Sequence, residues 1–411
     1  MKAVIVAAGK GLRLRPFTTT IPKPLIPVSG RPLLDHTIKM LDKGGFTEIL
    51  IVVSARDKLI QERYETVNLG PQVSTIIQKD QKGTADAFSL AEKFCENEAF
   101  LGMNGDVVIS PQKMKPIVEI IRSLKKDHLI VGVRKDDPSR YGVLDEENGY
   151  CREIVEKPQD SISNIINAGI YYFQSSIFDR IRQTSPSKRN ELEITDSIHH
   201  TIQAGEKVRI HVLSSWWLDI GLPWDLLDAN SLLMMEQTPR VRGIVETGAI
   251  MKGPVIVGEN SVIKSGTYVE GPVIIGSNCT IGPNCYIRAS TYLEGDNHIG
   301  NGVEIKNSII MQGTSIGHLS YVGDSILGRK CNFGAGTKVA NLRFDEQPVK
   351  VKINEKVVSS GKRKLGVFLG DNVKTGINAS LMPGIKAGPN SIIGAAICVK
   401  KDVEPDTELL D

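Results

Sequence analysis

The 411-residue sequence contains no Gly-Lys-Ser or Gly-Lys-Thr and does not meet the G-x-G-x-x-G spacing, which excludes a P-loop and the dinucleotide-binding fingerprint. Its six cysteines, Cys95, Cys151, Cys279, Cys285, Cys331 and Cys398, form no Cys-x-x-Cys pair. A zinc site and a disulfide framework are both unsupported, and free, mostly buried thiols are expected. Charge of one sign is not in excess: the net charge of +3 is spread along the chain, which argues against nucleic acid as a principal partner. No run of eighteen apolar residues is present, so no membrane partner is expected. The first residues pass straight into a strand-like run without a leader pattern, and a cytoplasmic protein is expected. With 41% hydrophobic and 24% charged residues the chain has ordinary globular composition, and its length calls for more than one domain.

What is present begins at once. The apolar run Val4 to Ala8 breaks into Gly9-Lys10-Gly11-Leu12-Arg13-Leu14-Arg15-Pro16, followed by Pro22-Lys23-Pro24-Leu25. This reads as a buried parallel strand feeding a loop, and ligands bind at the carboxyl end of such strands in open α/β sheets. The small residue Ala8 and the glycines Gly9 and Gly11 let backbone N–H groups approach a phosphate, while Arg13, Arg15 and Lys23 bring fixed positive charge.

Up to about residue 230 apolar strands alternate with helical patterns: a helix near Leu33–Lys43 and strands at 49–53, 73–77 and 99–103. Asp106, in Asn104-Gly105-Asp106, and Asp219, in Trp216-Trp217-Leu218-Asp219-Ile220-Gly221, each follow an apolar run. Two carboxylates at strand ends suffice, with substrate phosphates, to hold Mg2+, so the pair is expected to converge as a metal site. Leu226 to Met235 has a helical pattern ended by Thr238-Pro239.

From about residue 243 the period changes to six. Gly follows Ile or Leu at 275–276, 281–282, 299–300, 316–317, 327–328, 369–370 and 393–394, the mark of a parallel β-helix. Cys279 and Cys285, six apart, then fall on neighbouring faces rather than stacked. A polar, Lys-rich stretch interrupts the array between Asn341 and Gly366; a loop of that length is either functional or a mere excursion.

The motif Ala7-Ala8-Gly9-x-Gly11-x-Arg13-x-Arg15-Pro16 with Pro22-Lys23-Pro24-Leu25 resembles the signature of sugar-1-phosphate nucleotidylyltransferases, which join a nucleoside triphosphate to a sugar 1-phosphate and release pyrophosphate. Leu12 departs from the family, which often has Thr there. The resemblance implies a Rossmann-like α/β domain with a mostly parallel sheet over 1–230, a helical linker over 231–242 and a left-handed hexapeptide β-helix over 243–411. It makes Arg13 and Lys23 catalytic and places Gln78 on the base, with Gly83 and Thr84 closing on the nucleotide. Gly142, Glu156 and Asn167 would hold the sugar, with Lys157 near its phosphate. Glu191 to Asp196 also resembles the family, with a role that could be structural.

Residues in the coil extend the likeness. Gly317-His318-Leu319-Ser320-Tyr321-Val322-Gly323-Asp324, followed by Asn332-Phe333-Gly334-Ala335-Gly336, resembles the acetyltransferase half of the bifunctional glucosamine-1-phosphate acetyltransferase and N-acetylglucosamine-1-phosphate uridylyltransferase family, in its archaeal type. By that resemblance Arg288, Lys306, Tyr321, Asn332 and Asn341 bind the amino-sugar phosphate and His318 is the base. Ala335 and Ala395 would contact acetyl-CoA, with Lys400 and Lys401 as further candidates. A histidine of ordinary pKa suits removal of a proton from an attacking amine. UTP or dTTP and sugar 1-phosphates are the expected partners, and a homotrimer built through the coil is expected. The competing readings are a nucleotidylyltransferase making only dTDP-glucose or GDP-mannose, with the coil as a scaffold, and an inactive regulatory subunit that binds nucleotide sugars.

Overall fold

The structure, a computed structural model, describes residues 1–160 and 162–411. Contacts divide it into two compact units, Met1–Lys10 with Leu33–Asp219, and Gly11–Pro32 with Ile220–Asp411.

The first unit is built on a nine-stranded sheet. Its order is Gln72–Gln78, Glu48–Ser54, Lys2–Val6, Phe100–Asn104, Ile165–Phe173, His128–Arg134, Val208–Val212, Tyr150–Glu156, Gly142–Glu147. The expected mostly parallel sheet is parallel in its first three junctions and between His128–Arg134 and Val208–Val212. The other junctions in that order are antiparallel. The cause is Ile165–Phe173, which runs against both neighbours, and the hairpin before it; antiparallel partners need no crossover helix. That hairpin turns on Asn148 and Gly149, at φ 53° and 83°, with Glu147 opposite Tyr150, the two-residue turn that favours Asn-Gly.

Helices cover the sheet with apolar stripes. Met114–Ser123 buries Met114, Ile117, Val118 and Ile121, the i, i+3, i+4, i+7 pattern of one helix face. Leu33–Lys43 forms where expected. Phe88, Phe100, Tyr171, Phe173 and Phe178 fill a core shared with the helices Thr84–Ser89, Ile177–Gln183 and Ile194–Gln203, with rings 5.0–6.5 Å apart.

The second unit is a three-sided coil of parallel strands, its sheets holding eight, nine and eight strands that the chain visits in turn. Inward residues stack in three ladders. One runs Val257, Ile275, Leu293, Ile310, Leu327, Leu369, Ala387, another Ile263, Ile281, Ile299, Ile316, Phe333, Thr375, Ile393. Nearly all are fully buried. The corners demand left-handed backbone, and Asn, which tolerates it, stands at 260, 278, 284, 372 and 390 with φ of 56–62°. Asn278 receives a bond from Asn260 Nδ2 at 3.2 Å and gives one to Asp296 at 3.0 Å.

A strict six-residue period is corrected in the middle. Early coils step 18 residues, as in Tyr268 to Tyr286, but Tyr292 to Ile309 and Ser315 to Asn332 step 17. Glycines close the stack: a Cβ on Gly276 would lie 2.5 Å from the Glu294 carbonyl carbon. The stretch after Asn341 is ordered, carrying a hairpin of Lys350–Ile353 and Lys356–Ser359 that buries Val349, Val351 and Ile353. Lys362 Nζ pairs with Asp228 Oδ1 at 2.6 Å on the helix Pro223–Met234. All six cysteines are unbridged, Cys398 alone being exposed.

Candidate functional site

In the first unit the site grows from the end of Lys2–Val6. Ala7 N–H donates to Val52 O and Gly105 N–H to Val6 O, both at 2.8 Å. The turn at Ala8 and Gly9 and the segment Asn104-Gly105-Asp106 therefore leave the sheet side by side. Gly105 must lack a side chain, since a Cβ would stand 2.9 Å from Ala7 Cβ. Around Gly9 nothing comes within 4 Å of a Cβ position, so its amide is approachable.

Asp106 and Asp219 are brought together. Val107–Ile109 pairs antiparallel with Trp217–Asp219, and Asp219 stands opposite Val107, the residue after Asp106. Beside them Asn104 Oδ1 is buried with no hydrogen-bond partner among the described residues. Two carboxylates and an orphaned amide oxygen form a hard-oxygen set of the kind magnesium takes, so the residues fit such an ion.

The loop that follows Gln72–Gln78 is held from within. Gln78 is buried, and its Nε2 donates to Gly83 O at 3.1 Å and Asp86 Oδ2 at 2.7 Å, so its amide nitrogen is engaged inside the loop. The glutamine that reaches the opening turn is Gln81, whose Nε2 donates to Ala8 O. Gly83, at φ 128°, runs against 192: a Cβ would fall 2.6 Å from Leu192 N and closer still to its oxygen. Ala85 N–H donates to Leu192 O at 2.9 Å and Ile194 N–H to Thr84 Oγ1 at 3.0 Å. The Glu191–Asp196 stretch is thus the wall against which Gly83 and Thr84 are set.

Gly142, Glu156 and Asn167 also meet. A Cβ on Gly142 would lie 3.0 Å from Glu156 Oε2, 3.3 Å from Thr195 Cγ2 and 3.5 Å from Asn167 Cβ. Burial raises the Glu156 carboxyl above its ordinary value, while Lys157 Nζ at 3.6 Å and Arg189 Nη2 at 3.3 Å pull it back. Asn167 is aimed by Tyr171 Oη, which accepts from its Nδ2 at 2.8 Å, and by Gly169 N–H on its Oδ1 at 2.9 Å. Thr195 Oγ1 is buried without a hydrogen-bond partner among the described residues. Arg189, Thr195, Asn104 and Gln81 escaped assignment by sequence; Thr195 and Asn104 lay inside the stretches Glu191–Asp196 and Asn104–Asp106 singled out there, whereas Arg189 carried no signal.

Arg13 and Lys23 belong to the second unit. Gly11, at φ 62°, packs where a Cβ would meet Lys23 Cβ at 3.3 Å, and Thr18 Oγ1 donates to Gly11 O at 2.8 Å. The Arg13 guanidinium lies along Gly221, 3.3 Å from a Cβ position there. Gly221 and Leu222 N–H both donate to Asp225 Oδ2, at 2.9 and 2.7 Å, and burial pushes that carboxyl up to about 6. Arg13 and Arg15 line a cleft of about 550 Å³ with Lys352, Glu355, Lys386 and Asp402.

On the coil the expected acetyl-transfer residues fall into two neighbouring strips. Ile316, Phe333, Thr375 and Ile393 are successive ladder partners, so His318, Ala335, Ile377 and Ala395, each two residues later, form one column along a corner. The His318 ring is exposed and lies against Gly300, where a Cβ would be 2.8 Å from its Nδ1. Asn301 N–H donates to that Nδ1 at 3.1 Å, which puts the proton of the neutral ring on Nε2.

The adjoining face carries Arg288, Lys306 and Tyr321. Arg288 pairs with Glu304 at 2.9 Å and stacks over Tyr286, its centroid 5.3 Å away. Asn341 Nδ2 donates to Tyr321 Oη at 3.1 Å. Tyr321 and Asn341 line a groove of about 460 Å³ with Lys338, Leu342, Ser380 and Met382. Asn332 stands in the ladder of Ser315 and Lys374, on the sheet of Ile316 and Phe333 from which the His318 column follows and not on that of Tyr321. Lys400 and Lys401 follow the strand Cys398–Val399.

A mixed sheet with a glycine-rich turn and a carboxylate pair at its strand ends, followed by a parallel coil, defines a nucleotidyl transferase with an appended repeat domain. Residues 2–236 match the nucleotidyl transferase family model, and residues 269–376 match that of the GMPPB C-terminal domain. The chain belongs to the family of bifunctional GlmU proteins. It is 42% identical to the bifunctional protein GlmU of Methanocaldococcus jannaschii over 99% of this chain and 97% of that one. It is 44% identical to a bifunctional sugar-1-phosphate nucleotidylyltransferase/acetyltransferase of Sulfurisphaera tokodaii over 98% of each. Among solved structures, a putative glucose-1-phosphate thymidylyltransferase from Bacillus anthracis is similar at TM-score 0.51 and 31% identity, over 56% of this chain and 94% of that one.

Proposed function

We propose that this chain carries out two reactions leading to UDP-N-acetylglucosamine. The coil N-acetylates glucosamine 1-phosphate from acetyl-CoA, and the first domain transfers uridylyl from UTP to N-acetylglucosamine 1-phosphate with release of pyrophosphate. The observation that carries the reading is the column of His318, Ala335 and Ala395 running beside Lys306, Tyr321 and Asn341.

For uridylyl transfer, the sugar phosphate oxygen attacks the α-phosphorus of the triphosphate, the new O–P bond forms and the bond to pyrophosphate breaks. Ala8, Gly9 and Gly11 offer backbone N–H groups to the triphosphate, and Arg13 and Lys23 offset charge on the leaving oxygens. Asp106 and Asp219 would hold Mg2+, which supplies further neutralisation of phosphate charge when bound. Glu156, Asn167 and the Gly142 backbone take the sugar, with Lys157 near its phosphate; Gly83 and Thr84 close on the nucleotide. Gln78 reads a pyrimidine, UTP or dTTP, through the amide oxygen that its loop bonds leave over.

For acetyl transfer, the amine nitrogen attacks the thioester carbon, the C–N bond forms, the C–S bond breaks and the amine proton passes by way of His318 to the leaving sulfur. The exposed ring must first release Asn301 N–H so that a basic nitrogen faces the amine. Arg288, Lys306, Tyr321, Asn332 and Asn341 hold the amino-sugar phosphate, and Ala335 and Ala395 line the coenzyme path, with Lys400 and Lys401 toward its end. The division into 1–230, 231–242 and 243–411, the left-handed sense of the coil, its assembly as a trimer and a cytoplasmic setting are part of the same proposal.

The test is a pair of assays on one preparation: pyrophosphate release over a panel of nucleoside triphosphates and sugar phosphates, and thiol release from acetyl-CoA with glucosamine 1-phosphate. His318→Ala should abolish thiol release and leave pyrophosphate release intact; Arg13→Ala or Asp106→Ala should do the reverse. Absence of thiol release from the unmodified protein would reduce the coil to a scaffold, and a single mass by light scattering equal to one chain would remove the trimer.

A further inference from the structure

Asp324 sits at the turn between the strands Tyr321–Gly323 and Ile326–Leu327, 3% exposed and at φ 51°. Its backbone is fixed between coils: Asp324 N–H donates to Lys306 O at 2.9 Å and Gly366 N–H donates to Asp324 O at 2.8 Å. Its carboxylate gathers three side chains from the coils on either side. Oδ1 accepts from Asn307 Nδ2 at 2.8 Å, Oδ2 from Asn341 Nδ2 at 2.6 Å, and Lys306 Nζ straddles both oxygens at 3.4 Å. Gly323 makes room, since a Cβ there would stand 2.5 Å from Tyr321 Oη and 2.7 Å from Asn341 Nδ2.

A buried carboxylate is costly unless paired and hydrogen-bonded. This one is satisfied by the very groups the acetyl-transfer reading aims at the amino-sugar phosphate. We infer that Asp324 is a positioning residue of the acetyl-transfer site, pre-aligning the Lys306 ammonium and the Asn341 amide for the anionic substrate; the inference rests on that reading. A lysine left to itself loses side-chain entropy on being fixed. Asp324 imposes that order before the substrate arrives. Because Lys306 has three N–H donors and its side chain keeps a quarter of its surface exposed, it can serve the carboxylate and a phosphate at once.

The decisive experiment is a double-mutant cycle on the full chain with glucosamine 1-phosphate as the varied substrate. Asp324→Asn preserves shape and removes the charge; KM should rise about tenfold, about 1.4 kcal/mol, with kcat within threefold and pyrophosphate release unchanged. Lys306→Met should raise KM comparably, and Asp324→Asn added to it should raise KM no further. Asn307→Ala, which touches none of the proposed substrate contacts but frees one carboxylate oxygen, should raise KM two- to threefold and serves if Asp324→Asn does not fold. Unchanged KM in these variants, a fall in kcat alone, or additive effects in the double variant would overturn the inference. An unmodified protein that releases no thiol overturns the acetyl-transfer reading and this inference together, whereas an active protein with indifferent variants overturns the inference alone.

Discussion

Replacing Gly83 by alanine isolates the first reaction from the second. The residue has φ 128° and ψ −177°, a region held almost only by glycine, and forcing another residue there costs about 1–3 kcal/mol. The new methyl carbon would also stand 2.6 Å from Leu192 N. Backbone cannot rotate out of the way, so either the loop or the Leu192 segment must shift by several tenths of an ångström up to about 1 Å, a displacement that costs on the order of a hundredfold when it moves a reacting group. The shift is carried to Gln78 through its bond to Gly83 O and to Thr84 through its bond to Ile194 N–H. Gly83→Ala should therefore lower kcat/KM for pyrophosphate release about a hundredfold, mainly through nucleotide KM, and leave thiol release untouched, because every residue proposed for acetyl transfer lies in the coil. Pyrophosphate release within threefold of the unmodified protein would refute the assignment of this loop to the nucleotide. Equal loss of both activities in a folded variant would refute the separation of the two sites.

Other outcomes follow from the packing and the charges. Ile299→Ala empties a fully buried ladder position and should cost about 2–5 kcal/mol by chemical denaturation. Gly276→Ala places a methyl 2.5 Å from the Glu294 carbonyl carbon and should disrupt the coil, read as loss of thiol release and of the native oligomer. Asp225 binds its proton more tightly folded, at about 6, than at the ordinary 3.8. Its contribution to stability is thus greatest below pH 4 and falls by about 3 kcal/mol as pH rises to 6. In Asp225→Asn that component disappears, and the pH dependence of Tm between 4 and 6 should change accordingly. Gln81→Ala should raise nucleotide KM severalfold by freeing Ala8 O.

The sequence was most legible where local pattern and chemistry coincide. The strand Lys2–Val6, the helix Leu33–Lys43 and the approach of Asp219 to Asp106 follow from apolar runs and strand ends. Strand direction did not, because nothing local tells Ile165–Phe173 to run against its neighbours; the Asn148-Gly149 turn was the one overt signal of the antiparallel half. Gln78 illustrates a second limit: a side chain's type is visible but not its partners, and only the fold shows its nitrogen turned to Asp86. The 17-residue coils were hidden because an aliphatic at a corner-adjacent position looks the same after either step. Asp324 was quoted in a motif and left without a role, since a Gly-Asp turn in a repeat array is ordinary until Lys306, Asn307 and Asn341 are seen around it.

Across the excursion between the strands Lys338–Val339 and Phe368–Leu369, all three sheets resume in step: Ile326 meets Phe368, Asn332 meets Lys374, and Lys338 meets Ser380, each 42 residues on. The coil therefore closes as though the inserted stretch were not there, and its winding carries no record of how long that stretch is. Such a place is a natural graft point, where a shorter connection or a foreign peptide can be spliced without unwinding the scaffold.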